Sequence, residues 1–99
     1  MYIKLERDYN ANDNKGLYVH FHEEAGHGEE GTALIRIENG FMVWYESQNG
    51  EYMSDHNDTR RRIGNGDYMN DENIDIVCQW LSRQFSEAEI DKTELSFDV

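Results

Sequence analysis

Between Thr32 and Ser54 apolar and polar residues alternate in the pattern of two successive β-hairpins, each folded over an Asn-Gly pair. Asn39-Gly40 and Asn49-Gly50 stand between runs rich in Ile, Val, Trp and Tyr. Asn-Gly supplies the positive φ angles of a type I′ turn, whose twist matches that of the strands it joins. A two-residue hairpin about Asn39-Gly40 sets Glu38 opposite Phe41, Ile37 opposite Met42, Arg36 opposite Val43 and Ile35 opposite Trp44. Ile35, Ile37, Met42 and Trp44 then share one face, the expected core face. The other face carries Leu34, Arg36, Glu38, Phe41, Val43 and Tyr45, too apolar for open water, so it is expected to be partly covered or offered to a partner. The second turn places Met53 beside Glu46 and Tyr52 beside Ser47.

The rest of the chain attaches to this meander. Tyr2 to Glu6 alternates weakly and reads as a short edge strand, followed by the Asn-rich loop Asp8 to Gly16. Leu17 to His22 alternates cleanly, with Leu17, Val19 and Phe21 on one side and Tyr18, His20 and His22 on the other. Glu23 to Gly31, EEAGHGEEG, reads as a glycine-rich acidic loop, long for a hairpin connection. Past the polar Asp55 to Arg62, a third Asn-Gly within Gly64-Asn65-Gly66-Asp67 suggests a small hairpin from Arg62 to Met69. Ile74, Val77, Cys78, Leu81 and Phe85 form one helical stripe, predicting a helix over Asp71 to Phe85. Asn70 or Asp71 can cap it, and Glu72 and Asp75 suit the positive end of its dipole. Ser86 to Lys92 reads as a last turn or a polar connector, and Glu94 to Val99 as a final strand. The expectation is one α+β domain over residues 1–99: an antiparallel β-meander of four to six strands with one helix packed on one face.

Composition narrows the function classes. Hydrophobic residues make up 37% of the 99 and aromatics 12%, enough to fold a modest core. No apolar run approaches the ~20 residues of a membrane helix. The N-terminus lacks the apolar stretch of a signal peptide, and one cysteine, Cys78, cannot close an internal disulfide. A cytoplasmic setting is therefore expected. Twenty-one acidic residues face nine basic ones, a net charge of −12, which disfavours direct binding to nucleic acid or an anionic membrane. Spread evenly over a surface of roughly 5,900 Å², the acids would lie roughly 17 Å apart, beyond the ~8 Å screening length of physiological salt. Charge can serve function only where acids cluster.

Two clusters exist. Glu23, Glu24, Glu29 and Glu30 crowd the glycine-rich loop; Asp67, Asp71, Glu72 and Asp75 crowd the start of the helix. A solvated loop and a helix cap account for them without function. Read functionally, they are partner-binding carboxylates presented like phosphates to a basic groove. His20 and His22 on one strand face, with His27 or Glu24 nearby, form the most metal-like group, and an exposed polar strand face is the plainer account. Its spacing is close to the H-x-H of cupin-type barrels, but Gly26 and His27 stand where that motif needs glutamate. Cys78 falls on the apolar stripe, away from the helix N-terminus that would lower its pKa, and reads as a core residue. Trp80, just off the stripe, is expected at the core margin. Arg60-Arg61-Arg62 is too small a basic patch for nucleic acid against the net charge. No catalytic motif or cofactor signature is present, so neither an enzyme nor a cofactor or metal requirement is expected.

A short, proline-free, strongly acidic α+β domain with a Glu/Asp-rich loop beside an Asn-Gly hairpin resembles the small phage-encoded inhibitors of bacterial defence nucleases, anti-CRISPR proteins and DNA mimics among them. The resemblance rests on size, charge and layout, and transfers no residue position by position. It implies an inhibitor that occupies the basic groove of a nucleic-acid-handling protein. The alternatives are a protein-interaction or immunity module using the apolar second face of the meander (Phe41, Val43, Tyr45, Tyr52), or a small metal or ligand binder through His20 and His22.

Overall fold

The computed structural model describes residues 1–9, 11–48, 51–54, 61–62, 66 and 68–95. Strands β1 (Tyr2–Arg7), β2 (Gly16–His22), β3 (Glu29–Glu38), β4 (Phe41–Gln48) and β5 (Glu51–Ser54) follow one another, then β6 (Arg61–Arg62), helix α1 (Asp71–Gln84), β7 (Glu89–Asp91) and a 3₁₀ turn at Thr93–Leu95. They build one sheet in the order β5-β4-β3-β2-β1-β7, with β6 also pairing with β4. Every pairing is antiparallel except β1 with β7. The fold is α+β: a mixed, mostly antiparallel sheet and one helix.

The hairpin register is the one the alternation predicts. Ile35 pairs with Trp44, Ile37 with Met42 and Glu38 with Phe41, across a turn whose Asn39 (φ 53°) and Gly40 (φ 81°) are both left-handed. Glu46 pairs with Met53 and Ser47 with Tyr52, while the Asn49-Gly50 turn itself lies outside the described residues. Ile3, Leu5, Leu17, Val19, Ile35, Ile37 and Met42 are fully buried on one face, and α1 lies over it. The helix contributes Ile74, Val77, Trp80 and Leu81. Trp80 belongs to the core, its ring 5.4 Å from that of Trp44, and Phe85 sits 5.3 Å from Phe21. Asn70 caps the helix by accepting from the backbone N–H of Asn73 at 2.9 Å.

Four expectations need correction. The acidic loop is shorter than read, because β3 begins at Glu29: His22 pairs with Glu29 and Phe21 with Gly31 around a β-bulge. A bulge lets one extra residue enter a strand, and ladder hydrogen bonds need no apolar side chains, so EEG extends the strand. Glu89–Asp91 is a strand where a turn or connector was expected, and it makes the sheet mixed. Because α1 runs antiparallel to β1, the chain that leaves it naturally returns parallel to β1. For the same reason β1 is not an edge strand; β2 and β7 flank it. The expected strand at Glu94–Val99 begins instead as the 3₁₀ turn, and 96–99 lie outside the described residues. So do Arg60, most of the Gly64–Asp67 turn and Asp67 itself; Arg61 and Arg62 pair with Met42 and Phe41.

Candidate functional site

The two acid clusters sit at opposite ends of the sheet. The β2–β3 connection follows His22, at the end where the helix finishes: Phe85 packs on Phe21, and the Glu89 N–H donates to the Met1 carbonyl at 3.0 Å. The helix begins at the other end, where the Met69 N–H donates to the Asn14 carbonyl at 2.7 Å. Strand β2 alone puts about 20 Å between these ends at ~3.3 Å per residue, more than two screening lengths. The structure therefore does not bring the seven described residues of the two clusters into one array; Asp67 lies outside the described residues.

At the helix end, Asp71 and Glu72 are exposed in the first turn, where the dipole favours a negative charge, and Asp75 lies 3.9 Å from Lys92. These carboxylates have local structural work. At the loop end, all residues from Glu23 to Gly31 are exposed. Gly26 takes φ 86°, and the His27 N–H donates to the Glu24 carbonyl at 3.1 Å, which folds the connection into a tight turn. The His27 ring also lies 3.6 Å from the Glu24 carboxylate.

The root of this loop is held by a cluster on the sheet face turned away from α1. Register aligns Lys4 with His20 and His20 with Thr32, placing β1, β2 and β3 side chains in one row. His20 Nδ1 is 2.5 Å from Glu29 Oε1, and its Nε2 is 3.1 Å from Glu6 Oε1. Thr32 donates its hydroxyl to the other oxygen of Glu29. Burial works against ionisation of Glu29, but the Thr32 hydrogen bond and the charge and ring N–H of His20 outweigh it and hold the carboxyl below its ordinary range. His22 Nδ1 donates to the His27 carbonyl at 2.8 Å. Lys4, Glu6, His20, His22, Glu29 and Glu94 line a shallow cavity of about 240 Å³ here. His20 thus has a carboxylate at each ring nitrogen. Among the described residues no group of three or more His, Cys, Asp or Glu is placed to hold a metal ion.

Cys78 is half-buried against the core, and burial pushes its thiol pKa up, with nearby Lys92 pulling weakly the other way. That is the opposite of an activated nucleophile. Sequence reasoning missed a second ion cluster at the opposite end. Arg36 reaches from β3 to the Asp13 carboxylate and lies 3.6 Å from that of the buried Asp8. It also missed the fully buried Asn73, whose amide donates to the carbonyls of Tyr68 (2.7 Å) and Gly66 (3.2 Å). The Asx-rich composition of the β1–β2 loop hinted at the first, since such side chains bond nearby groups, and nothing in the sequence announced the second.

No protein-family model, curated protein or solved structure matches the chain. Among the described residues no helix is long and apolar enough to cross a membrane.

Proposed function

We propose that the chain is a non-enzymatic, cytoplasmic protein inhibitor that occupies the basic groove of a nucleic-acid-handling protein, in the manner of anti-CRISPR proteins and DNA mimics. The observation that carries this reading is the exposed segment from Glu23 to Gly31, which presents Glu23, Glu24, Glu29 and Glu30 at one end of the sheet. The four carboxylates fall within eight consecutive residues of one turn and the start of one strand, and such a local cluster presents a basic surface with a single negative patch. Glu6, in the cavity that adjoins Glu29, extends the patch onto the sheet face, while Glu94 there is paired with Lys4 at 3.2 Å. Asp71, Glu72 and Asp75 lie too far away to join it and serve as a separate contact or as helix-cap charges. Immobilised protein should capture from a host lysate a nucleic-acid-binding protein that competing duplex DNA releases. Capture of nothing that binds nucleic acid, or capture indifferent to competing DNA, would sink the proposal.

A second reading, an interaction or immunity module, has one observation in its favour. On the face turned away from the helix Phe41 and Tyr45 are half-buried and still partly open to a partner, while Leu34 and Val43 beside them are already covered within the chain. If that face is the contact, Phe41→Ala with Tyr45→Ala abolishes partner capture while glutamine at the four loop positions leaves it intact. The metal or ligand reading through His20 and His22 has weaker support, since Glu6 and Glu29 already engage both nitrogens of His20.

A further inference from the structure

We infer that the groove between the β1–β2 loop and the segment entering α1 is a binding site for an uncharged, hydroxyl-rich ligand of the saccharide class. It lies at the opposite end of the sheet from the acidic loop and does not depend on the inhibitor reading. The groove has a volume of about 1160 Å³ and is open to solvent. Its rim carries Tyr9 and Tyr68, 58% and 55% exposed, two of the three large apolar side chains the described chain leaves in water. They come from distant parts of the sequence, and the fold brings both to one opening. An exposed tyrosine offers a flat apolar face for the C–H surface of a sugar ring and a hydroxyl for its rim.

The polar surroundings select against charge. Among the described lining residues Arg7 and Lys15 meet Asp8, Asp13 and Asp71, and Arg36, from outside the groove, pairs with Asp8 and Asp13, so the lining has no excess of positive charge. These charges are largely engaged within the protein. Arg36 binds Asp13, Arg7 donates to Asn14 Oδ1 at 2.7 Å, and Lys15 Nζ stands 5.8 Å from the centre of the Tyr68 ring. A single-stranded nucleic acid would also stack on tyrosines, but it needs a positive groove to hold its phosphates. An apolar ligand would leave the amides of Asn12 and Asn14 facing it without use. A sugar matches an amide-lined, aromatic-rimmed opening with no excess of positive charge.

The site is also formed in advance. Arg7 donates to the Met69 carbonyl at 2.8 Å, the Met69 N–H to the Asn14 carbonyl at 2.7 Å, and Asn73 to the Tyr68 carbonyl at 2.7 Å. These bonds tie the two walls to each other and to the helix, so binding need not order them.

Saturation-transfer NMR on the full chain, with maltotriose, cellotriose and chitotriose titrated separately to about 10 mM, tests this over the affinity range open sugar sites reach. At least one sugar should receive transfer. Tyr9→Ala and Tyr68→Ala should each weaken it about tenfold, whereas Tyr68→Phe, which keeps the ring, should stay within about threefold. Glu23→Gln, at the other end, should change nothing. No transfer to any of the three sugars, or binding that survives both alanine variants, overturns the inference. So does loss of protein capture in those variants without any sugar binding.

Discussion

Replacing Trp80 by alanine tests whether α1 is held to the sheet by the tryptophan pair. Trp80 is 8% exposed, and its ring lies 5.4 Å from Trp44 at 51°. An indole buries about 200 Å², which at ~25 cal/mol per Å² is about 5 kcal/mol. A compact unfolded chain already hides part of that surface, which lowers the figure to about 3–4 kcal/mol. Losing the ring pair adds ~1 kcal/mol, and alanine's better helix propensity returns ~0.5 kcal/mol. The expected loss is about 4 kcal/mol, a large share of the ~5–15 kcal/mol that a domain of this size possesses. With a urea slope of ~1–2 kcal/mol/M, the midpoint should fall by about 2–4 M, or the variant should be unfolded without denaturant. Tyr68→Ala, on an exposed ring, should stay within ~0.5 kcal/mol of the parent. A loss below ~1.5 kcal/mol for Trp80→Ala would refute the packing described, since it would mean the ring is not enclosed.

Three further outcomes follow from particular contacts. A Cβ on Gly16 would meet Asp8 Cβ at 3.0 Å and Arg36 Nη1 at 3.3 Å, so Gly16→Ala should cost about 1 kcal/mol in urea denaturation through crowding. Asn73→Leu removes the donor to the Tyr68 and Gly66 carbonyls and should cost about 1–3 kcal/mol by the same measurement. Tyr2 donates its hydroxyl to Asp91, tying β1 to β7. Hydrogen bonds from Thr93 and Tyr2 hold Asp91 down at about 2, and the Asp91 carboxylate pushes Tyr2 up to about 12. A carboxyl with a depressed folded pKa stabilises above its unfolded value and loses that as pH falls, here between about 4 and 2. A phenol with a raised folded pKa stabilises below its unfolded value and loses that as pH rises, here between about 10 and 12. Tyr2→Phe should therefore remove the alkaline fall in melting temperature while keeping most of the acid one.

The parts of the fold visible in the sequence are those that one local rule decides. The Asn39-Gly40 turn sets the β3–β4 register, and the Ile74–Leu81 stripe sets the helix and the face it buries. The β1–β7 pairing was not legible, because three residues with Ile90 as their single apolar member carry no periodic signal and owe their state to the direction α1 imposes. The strand start at Glu29–Gly31 was hidden for a related reason: Glu29, Glu30 and Gly31 offer no apolar side chain, and what pairs them with His22 and Phe21 is the backbone ladder. Of the candidate site, the exposed acids were readable by composition. Their separation to opposite ends was not, since it follows from the helix running alongside β2. The Asp8–Asp13–Arg36 cluster depends on a β3 side chain meeting a loop more than twenty residues earlier, and no spacing announces that.

Whether the loop carboxylates engage a basic groove is read from the affinity for the captured partner between about 50 and 300 mM salt. The affinity should fall steeply with salt. Glu23→Gln, Glu24→Gln, Glu29→Gln and Glu30→Gln together should weaken low-salt binding by at least about tenfold and flatten the dependence. Affinity that is level across that range, or unchanged in the fourfold variant, would contradict that engagement.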